Sequence, residues 1–182
     1  VAAKPDIADA VVLTGLVYPD YSTDAAGMGT SWGPTAFRAE IASTVNAKKW
    51  PAKEYDTGYL IFADIYGHID TFFRNYEHDA AEYAQSILAP LSVAELTSLG
   101  FLDLHAPNYK GKVLVTTGEF DLLECGGECY STFEIGKQEE IWKGASKLET
   151  YVHPGAGHGV NFNKNAKAFF DKIFDFIERN VQ

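Results

Sequence analysis

The chain has 182 residues and carries 15 Lys and Arg against 25 Asp and Glu, a formal charge of −10. At 46% hydrophobic and 22% charged residues it reads as one globular unit, long enough to bury a core without staples and unlike a disordered tail. The acidic balance argues against gripping nucleic acid or anionic lipid by overall field. No apolar run approaches the ~20 residues of a membrane span, and two cysteines exclude a disulfide-dense mini-scaffold.

Val1 to Lys4, followed by Pro5 and Asp6, reads as the last turn of a helix stopped by a proline. Neither an initiator Met nor a charged-then-apolar leader precedes it. A fold that opens on the tail of a helix is expected to have lost what came before, by truncation or by cutting of a precursor into two chains.

Three strands are expected, over Asp9–Leu16, Lys112–Thr117 and Lys147–His153. The second is a continuous Val and Leu run ended by Gly118, the pattern of a strand covered on both faces in a parallel sheet. Ser131 with Glu134 three residues later is a capping-box pattern and predicts a helix to about Lys143. From Asn165 to Arg179, Ala166, Phe169, Phe170, Ile173 and Ile177 fall at helical spacing, with Asp171, Lys172 and Glu178 opposite. Strand, helix, strand, helix is the order of a parallel α/β sheet. The core would then be residues 1–17 and 106–182.

Residues 18–105 form a long insertion between the first two strands, read as a helical cap or lid. It opens on a loop rich in Gly, Asp and Ser from Asp20 to Gly33 and continues as short helices from Pro34. Trp32, Phe37, Trp50, Tyr55, Tyr59, Phe62, Tyr66, Phe72, Phe73, Tyr76 and Tyr83 all lie in it. Aromatics so placed either line an apolar substrate pocket or simply pack the cap onto the sheet.

The residues with chemistry follow the second and third strands. Glu119, Phe120 and Asp121 come after the second, and His158 comes between Gly157 and Gly159 after the third. Parallel strands gather ligands at their carboxyl ends, so an acid and a histidine there can meet. The carboxylate would fix the tautomer of His158 and leave its other nitrogen as a base toward a nucleophile. Acid before histidine suits the chain order nucleophile, acid, histidine of α/β-hydrolases.

The stretches APNYKGKVLVTTGEFD (106–121), CGGEC (125–129) and HPGAGHGVNF (153–162) resemble the C-terminal half of a fungal-type α/β-hydrolase, a serine esterase or lipase. VAAKPD (1–6) with DAVVLTG (9–15) resembles the segment just after that family's nucleophile helix. The resemblance spans most of the chain, closely over 106–162 and weakly in the cap. It implies the C-terminal portion of an α/β-hydrolase fold, with Asp121 as triad acid and His158 as triad base. It also implies an N-terminal chain or segment upstream of Val1 carrying the nucleophile, the oxyanion hole and the remaining strands.

Competing residues remain. Glu119 follows the same strand as Asp121, and the triad accepts either acid; the family pattern favours Asp121. His153 is expected to end its strand or pack under the loop, and His68, His78 and His105 have no partner pattern. Ser31 lies in GTSWG (29–33), a match to G-x-S-x-G, but no strand leads directly into it, so a Gly-rich loop is the preferred reading. Cys125 and Cys129 are a reduced pair, half of a zinc site lacking two further ligands, or a disulfide; the resemblance implies the disulfide, hence an oxidising compartment and secretion.

The expected activity is hydrolysis of an ester-type bond in an apolar or aromatic small molecule through an acyl-enzyme. No cofactor or metal is implied. With an upstream aspartate as nucleophile the same scaffold would be an epoxide hydrolase or dehalogenase, and a non-catalytic binding protein on this scaffold is the reading of another class.

Overall fold

A computed structural model describes residues 1–16, 38–98, 105–134 and 137–181. The predicted loop Asp20–Gly33, the helix start at Pro34, Trp32, Phe37 and Ser31 lie outside the described residues. In chain order the elements are β1 (Ala10–Thr14), β2 (Ala39–Ile41), α1 (Ala42–Val45), β3 (Tyr59–Phe62), α2 (Ile65–Phe72), α3 (His78–Ile87), β4 (Leu91–Ser92) and α4 (Val93–Ser98). There follow β5 (Lys112–Gly118), α5 (Leu122–Cys125), α6 (Cys129–Glu134), α7 (Lys137–Ile141), β6 (Lys147–His153), a 3-10 turn (Val160–Phe162) and α8 (Ala166–Asn180).

β1, β5 and β6 form a parallel sheet with β5 in the middle. Val11 pairs with Val113 and Leu13 with Val115, while Thr117 pairs with Val152 and Gly118 with His153. The central strand is buried from Val113 to Gly118, as its continuous apolar run requires. Val113 and Val115 pack on Ala106, Tyr109, Ile141 and Trp142 on one face. Because side chains alternate, Leu114 and Thr116 take the other face, where α8 lies against β1 and β5. All three predicted strands are therefore present, trimmed by a residue or two at the ends of β1.

Along α8 the buried positions are Phe169, Phe176 and Asn180, with Ile173 beside them on the small cluster of Ala156, Val160 and Phe169. Phe170 and Ile177, expected on that face, are instead exposed with Phe174 and Val181. Steps of four, three and four residues place these four on one second apolar stripe. Among the described residues nothing pairs with the outer edge of β1 either.

Four other expectations change. Val1 to Lys4 is not helical; the segment turns, with Ile7 N–H donating to Lys4 O. The region read as a helical cap contains its own three-stranded antiparallel sheet, β2–β3–β4, besides short helices. Ala42, Trp50 and Ile61 form its core, covered by Val45, Tyr55, Tyr59 and Leu88. The helix expected from Ser131 begins at Cys129, because Glu128 rather than Ser131 caps it. The Glu128 carboxylate accepts from the N–H groups of Tyr130 and Ser131 at 3.1 and 3.2 Å. Its predicted course to Lys143 is described as α6 and α7, the latter ending at Ile141.

Candidate active site

Two loops meet beyond the carboxyl ends of β5 and β6, and backbone bonds fasten one to the other. Glu119 N–H donates to His153 O at 2.9 Å and Phe120 N–H to Ala156 O at 2.8 Å. The glycines permit this approach: a Cβ at Gly118 would collide with the backbone of Ala156 and Gly157, and one at Gly157 with Phe72 O. Glu119 braces the same junction, its carboxylate accepting from Gly155 N–H at 2.8 Å. The competing acid is thereby spent on a turn.

Asp121 is completely buried and receives three donors. Oδ1 accepts from Glu124 N–H at 3.0 Å, which makes Asp121 the N-cap of α5. Oδ2 accepts from Thr117 Oγ1 at 2.5 Å and pairs with His158 Nδ1 at 2.9 Å. An acceptor-only carboxylate places the shared proton on Nδ1, which leaves Nε2 with its lone pair. Among the described residues Nε2 has no hydrogen-bond partner, and the His158 side chain stays 22% exposed. Burial alone would pull the imidazole below its ordinary value; the hydrogen bond and charge of Asp121, helped by the charge of Glu124, hold it above.

The ring is walled on two sides. Gly15, in the left-handed region at φ +64, follows β1, and a Cβ there would stand 3.3 Å from His158 Cε1. Phe72, the last residue of α2, meets the imidazole edge to face with centroids 4.9 Å apart. Behind Phe72 lies His68, buried, its Nδ1 3.0 Å from Gln85 Oε1 and its ring stacked on Phe62. Burial pushes His68 below its ordinary value, only partly opposed by Gln85.

The segment after α2 runs along the histidine loop as a strap. Gly159 N–H donates to Phe72 O and Lys164 N–H to Asn75 O, each at 2.8 Å. Asn163 Nδ2 donates to Arg74 O at 2.9 Å and Gly155 O at 3.0 Å, and its Oδ1 accepts from Asn165 N–H. Phe73 packs on Phe162.

The disulfide Cys125–Cys129 is formed, and Cys129 N–H donates to Glu119 O, so the covalent link closes the loop that begins at Asp121. His153 ends β6 buried, its Nδ1 3.1 Å from Tyr151 OH, with burial lowering its basicity. His78 is an exposed partner of Glu82, and His105 is exposed ahead of β5. None of these three joins Asp121 and His158. Thr117, Asn163 and Gly15 were not singled out in the sequence for this site, and Phe72 was named only as one of the cap aromatics that line a pocket or pack the cap. Thr117 carries a weak local signal, as one of two adjacent hydroxyls, Thr116 and Thr117, in a strand otherwise built for apolar burial.

No known protein family matches the chain in sequence, and no curated protein matches it. Its fold is similar to that of a mutant polyneuridine aldehyde esterase at TM-score 0.57 and 13% identity, over 96% of this chain and 64% of that one. An α/β-hydrolase fold protein from Chitinophaga pinensis gives TM-score 0.46 at 13% identity, over 96% of this chain and 57% of that chain. NosK from Streptomyces actuosus gives 0.44 at 18%, over 100% and 63%. The chain spans less than two thirds of each of these structures. The architecture is an α/β fold with a parallel three-stranded sheet, similar over part of its length to the esterase structure.

Proposed function

We propose that this chain supplies the acid and the base of a serine esterase of the α/β-hydrolase type. The observation that carries the reading is the buried Asp121 paired through Oδ2 to Nδ1 of a partly exposed His158. His158 Nε2 takes the proton of a serine hydroxyl as the serine attacks an ester carbonyl, then returns it to the leaving alcohol. Asp121 holds the tautomer and stabilises the imidazolium between those two transfers. Phe72, with an apolar ring against the base, favours an apolar or aromatic substrate held mainly by burial.

The nucleophile and oxyanion hole belong, in this reading, to an N-terminal chain or segment that completes the sheet. Two features support it: the edge of β1, unpaired among the described residues and a template for a further strand, and the exposed stripe Phe170, Phe174, Ile177 and Val181. The third of the esterase structure that this chain does not cover is room for such a segment. The disulfide, which persists in an oxidising compartment, supports reading the protein as secreted.

Fluorophosphonate labelling of the natural protein, followed by peptide mass spectrometry, tests the reading. A label on a serine upstream of Val1, lost when His158 is replaced, is the expected result. A label on Ser31 would move the nucleophile into this chain. Failure to label, with turnover of an epoxide or haloalkane, would replace the serine with an aspartate nucleophile; failure of both would leave a binding protein.

A further inference from the structure

The strand leading to the acid buries two adjacent hydroxyls, and among the described residues Thr116 Oγ1 has no hydrogen-bond partner whereas Thr117 Oγ1 has one. β5 runs Lys112, Val113, Leu114, Val115, Thr116, Thr117, Gly118, and its interior positions are fully buried. A dry hydroxyl is unfavourable there unless it finds an acceptor. Thr117 finds one in Asp121 Oδ2, the same oxygen that receives His158 Nδ1.

We infer that Thr117 is a positioning residue of the proposed reaction: its hydroxyl locks the Asp121 carboxylate and, by sharing Oδ2 with His158, restrains the basicity of the imidazole. The inference rests on the esterase reading above. Pairing of Thr117 with Val152 fixes the backbone, and a β-branched side chain has little χ1 freedom, so the hydroxyl is aimed before substrate arrives. A donor on Oδ2 spreads part of the carboxylate charge away from the imidazole proton. Glu124 N–H holds the other oxygen, so the carboxylate cannot turn to compensate.

Among the described residues the charged groups that act on His158 are Asp121 and Glu124, both from the segment after β5. Gly15 from the end of β1 and Phe72 from α2 face the ring without charge. Removing the Thr117 hydroxyl therefore leaves burial unchanged and Asp121 as the main group opposing it, with more of its charge on Oδ2.

The test is a nuclear magnetic resonance titration of the His158 ring nitrogens in the full chain, for the wild type, Thr117→Val, Thr117→Ser and Asp121→Asn. Thr117→Val is expected to raise the His158 midpoint by ~0.5–1 pH unit, with the acid limb of kcat/KM moving up alongside it. Thr117→Ser restores the wild-type midpoint, which a purely packing role for the methyl group would not do. If Asp121→Asn moves the midpoint and Thr117→Val does not, the role of Thr117 is overturned while the acid–base pair stands. If Asp121→Asn leaves the midpoint unmoved, the pair itself fails, and the esterase reading with it. Should Thr117→Val not fold, the wild type decides: a hydroxyl held on a buried carboxylate exchanges slowly and gives its own proton resonance close to His158. Absence of that resonance overturns the inference.

Discussion

The two sheets of this protein treat polar side chains in opposite ways. The antiparallel sheet β2–β3–β4 keeps a core of Ala42, Trp50 and Ile61 and leaves its ion pair, Arg38 with Asp64, near the surface. The parallel sheet buries Thr117, Asp121 and His153 at or just past its strand ends, each with a polar partner. Ladder bonds exhaust the backbone within a parallel sheet, but past the strand ends the loops are free to present side chains. The contrast teaches how the two regions divide the candidate site: the parallel sheet carries the paired acid and histidine, and the smaller sheet contributes a wall, Phe72, through the helix that follows β3.

The strongest way to break that contrast is to remove the base. His158→Gln should lower kcat/KM for ester hydrolysis by about 10³-fold or more, and Asp121→Asn by a similar order, because the members act as a unit. His158→Gln should lower the thermal midpoint only modestly, since Thr117 Oγ1 and Glu124 N–H still satisfy the buried Asp121 carboxylate. Activity at wild-type level in His158→Gln would assign the chemistry elsewhere. The wild-type profile should also rise with pH through a midpoint above about 6.5, since the base must be neutral and Asp121 and Glu124 raise its affinity for a proton.

The next largest effect concerns the strap that joins the regions. Asn163→Ala removes two donors to carbonyls and one acceptor, all on one buried side chain. Stability should fall by ~2–3 kcal/mol, with kcat/KM falling roughly tenfold as the histidine loop loosens. Denaturant unfolding and kinetics on the same samples check both. A stability loss with unchanged kinetics would mean that the strap holds the fold without holding the base.

What was legible in the sequence divides along the same line. Strands β1, β5 and β6 were legible because short runs rich in Val, Leu and other β-formers end at glycine or at Pro154-Gly155, and the pairing of Asp121 with His158 because both residues follow those ends. The antiparallel sheet was not: Tyr59–Phe62 is four apolar residues, a length that strand and helix share. The contacts of Phe72 and Asn163 arise between segments more than 80 residues apart, where no local spacing signals them. Phe170 and Ile177 mislead for a different reason, since hydrophobic periodicity counts an exposed apolar stripe with the buried one.

The cystine comes third. Converting Cys125 and Cys129 to Ala frees a loop of only five residues, so the entropic loss is about 2 kcal/mol at most. Asp121 keeps Glu124 N–H and Thr117 Oγ1 without the bond, so kcat/KM should fall less than in Asn163→Ala. Reduction of the wild-type protein followed by melting and assay checks this. A loss of activity as large as that of Asp121→Asn would place the cystine in the machinery of the site.

His68 gives a smaller, pH-dependent effect on the cap side. Its ring takes up a proton near pH 6.5 in the unfolded chain but only at lower pH when folded. Between those values the unfolded chain binds more protons, so stability falls as pH drops below about 6.5, by up to ~1.4 kcal/mol per unit. His153, also lowered, adds to the trend, whereas His158, raised, contributes stability at low pH that is lost as pH climbs through its folded value. Thermal midpoints between pH 7.5 and 5.5 should therefore decline, and less steeply in His68→Gln. An equal slope in that variant would remove His68 from the account.

The smallest effect belongs to the far side of the parallel sheet. Glu149 on β6 accepts from both terminal nitrogens of Arg179 on α8, each at 3.1 Å, and lies 2.7 Å from Lys147. The Arg179 hydrogen bonds, with Lys147, hold its carboxyl down to about 2. Its contribution is therefore present above the ordinary carboxylate range, near pH 4.3, and is lost as pH falls through about 2. Both cations are substantially exposed, so water and salt screen the pair, and the pKa shift overstates its share of stability. Glu149→Gln should then shift the thermal midpoint by no more than a few degrees at pH 7 and leave kcat/KM unchanged. The shift should shrink in ~0.5 M salt and vanish below pH 2. A change in kinetics from this remote pair would show that the helix beneath the sheet, as well as the wall above it, governs the placement of His158.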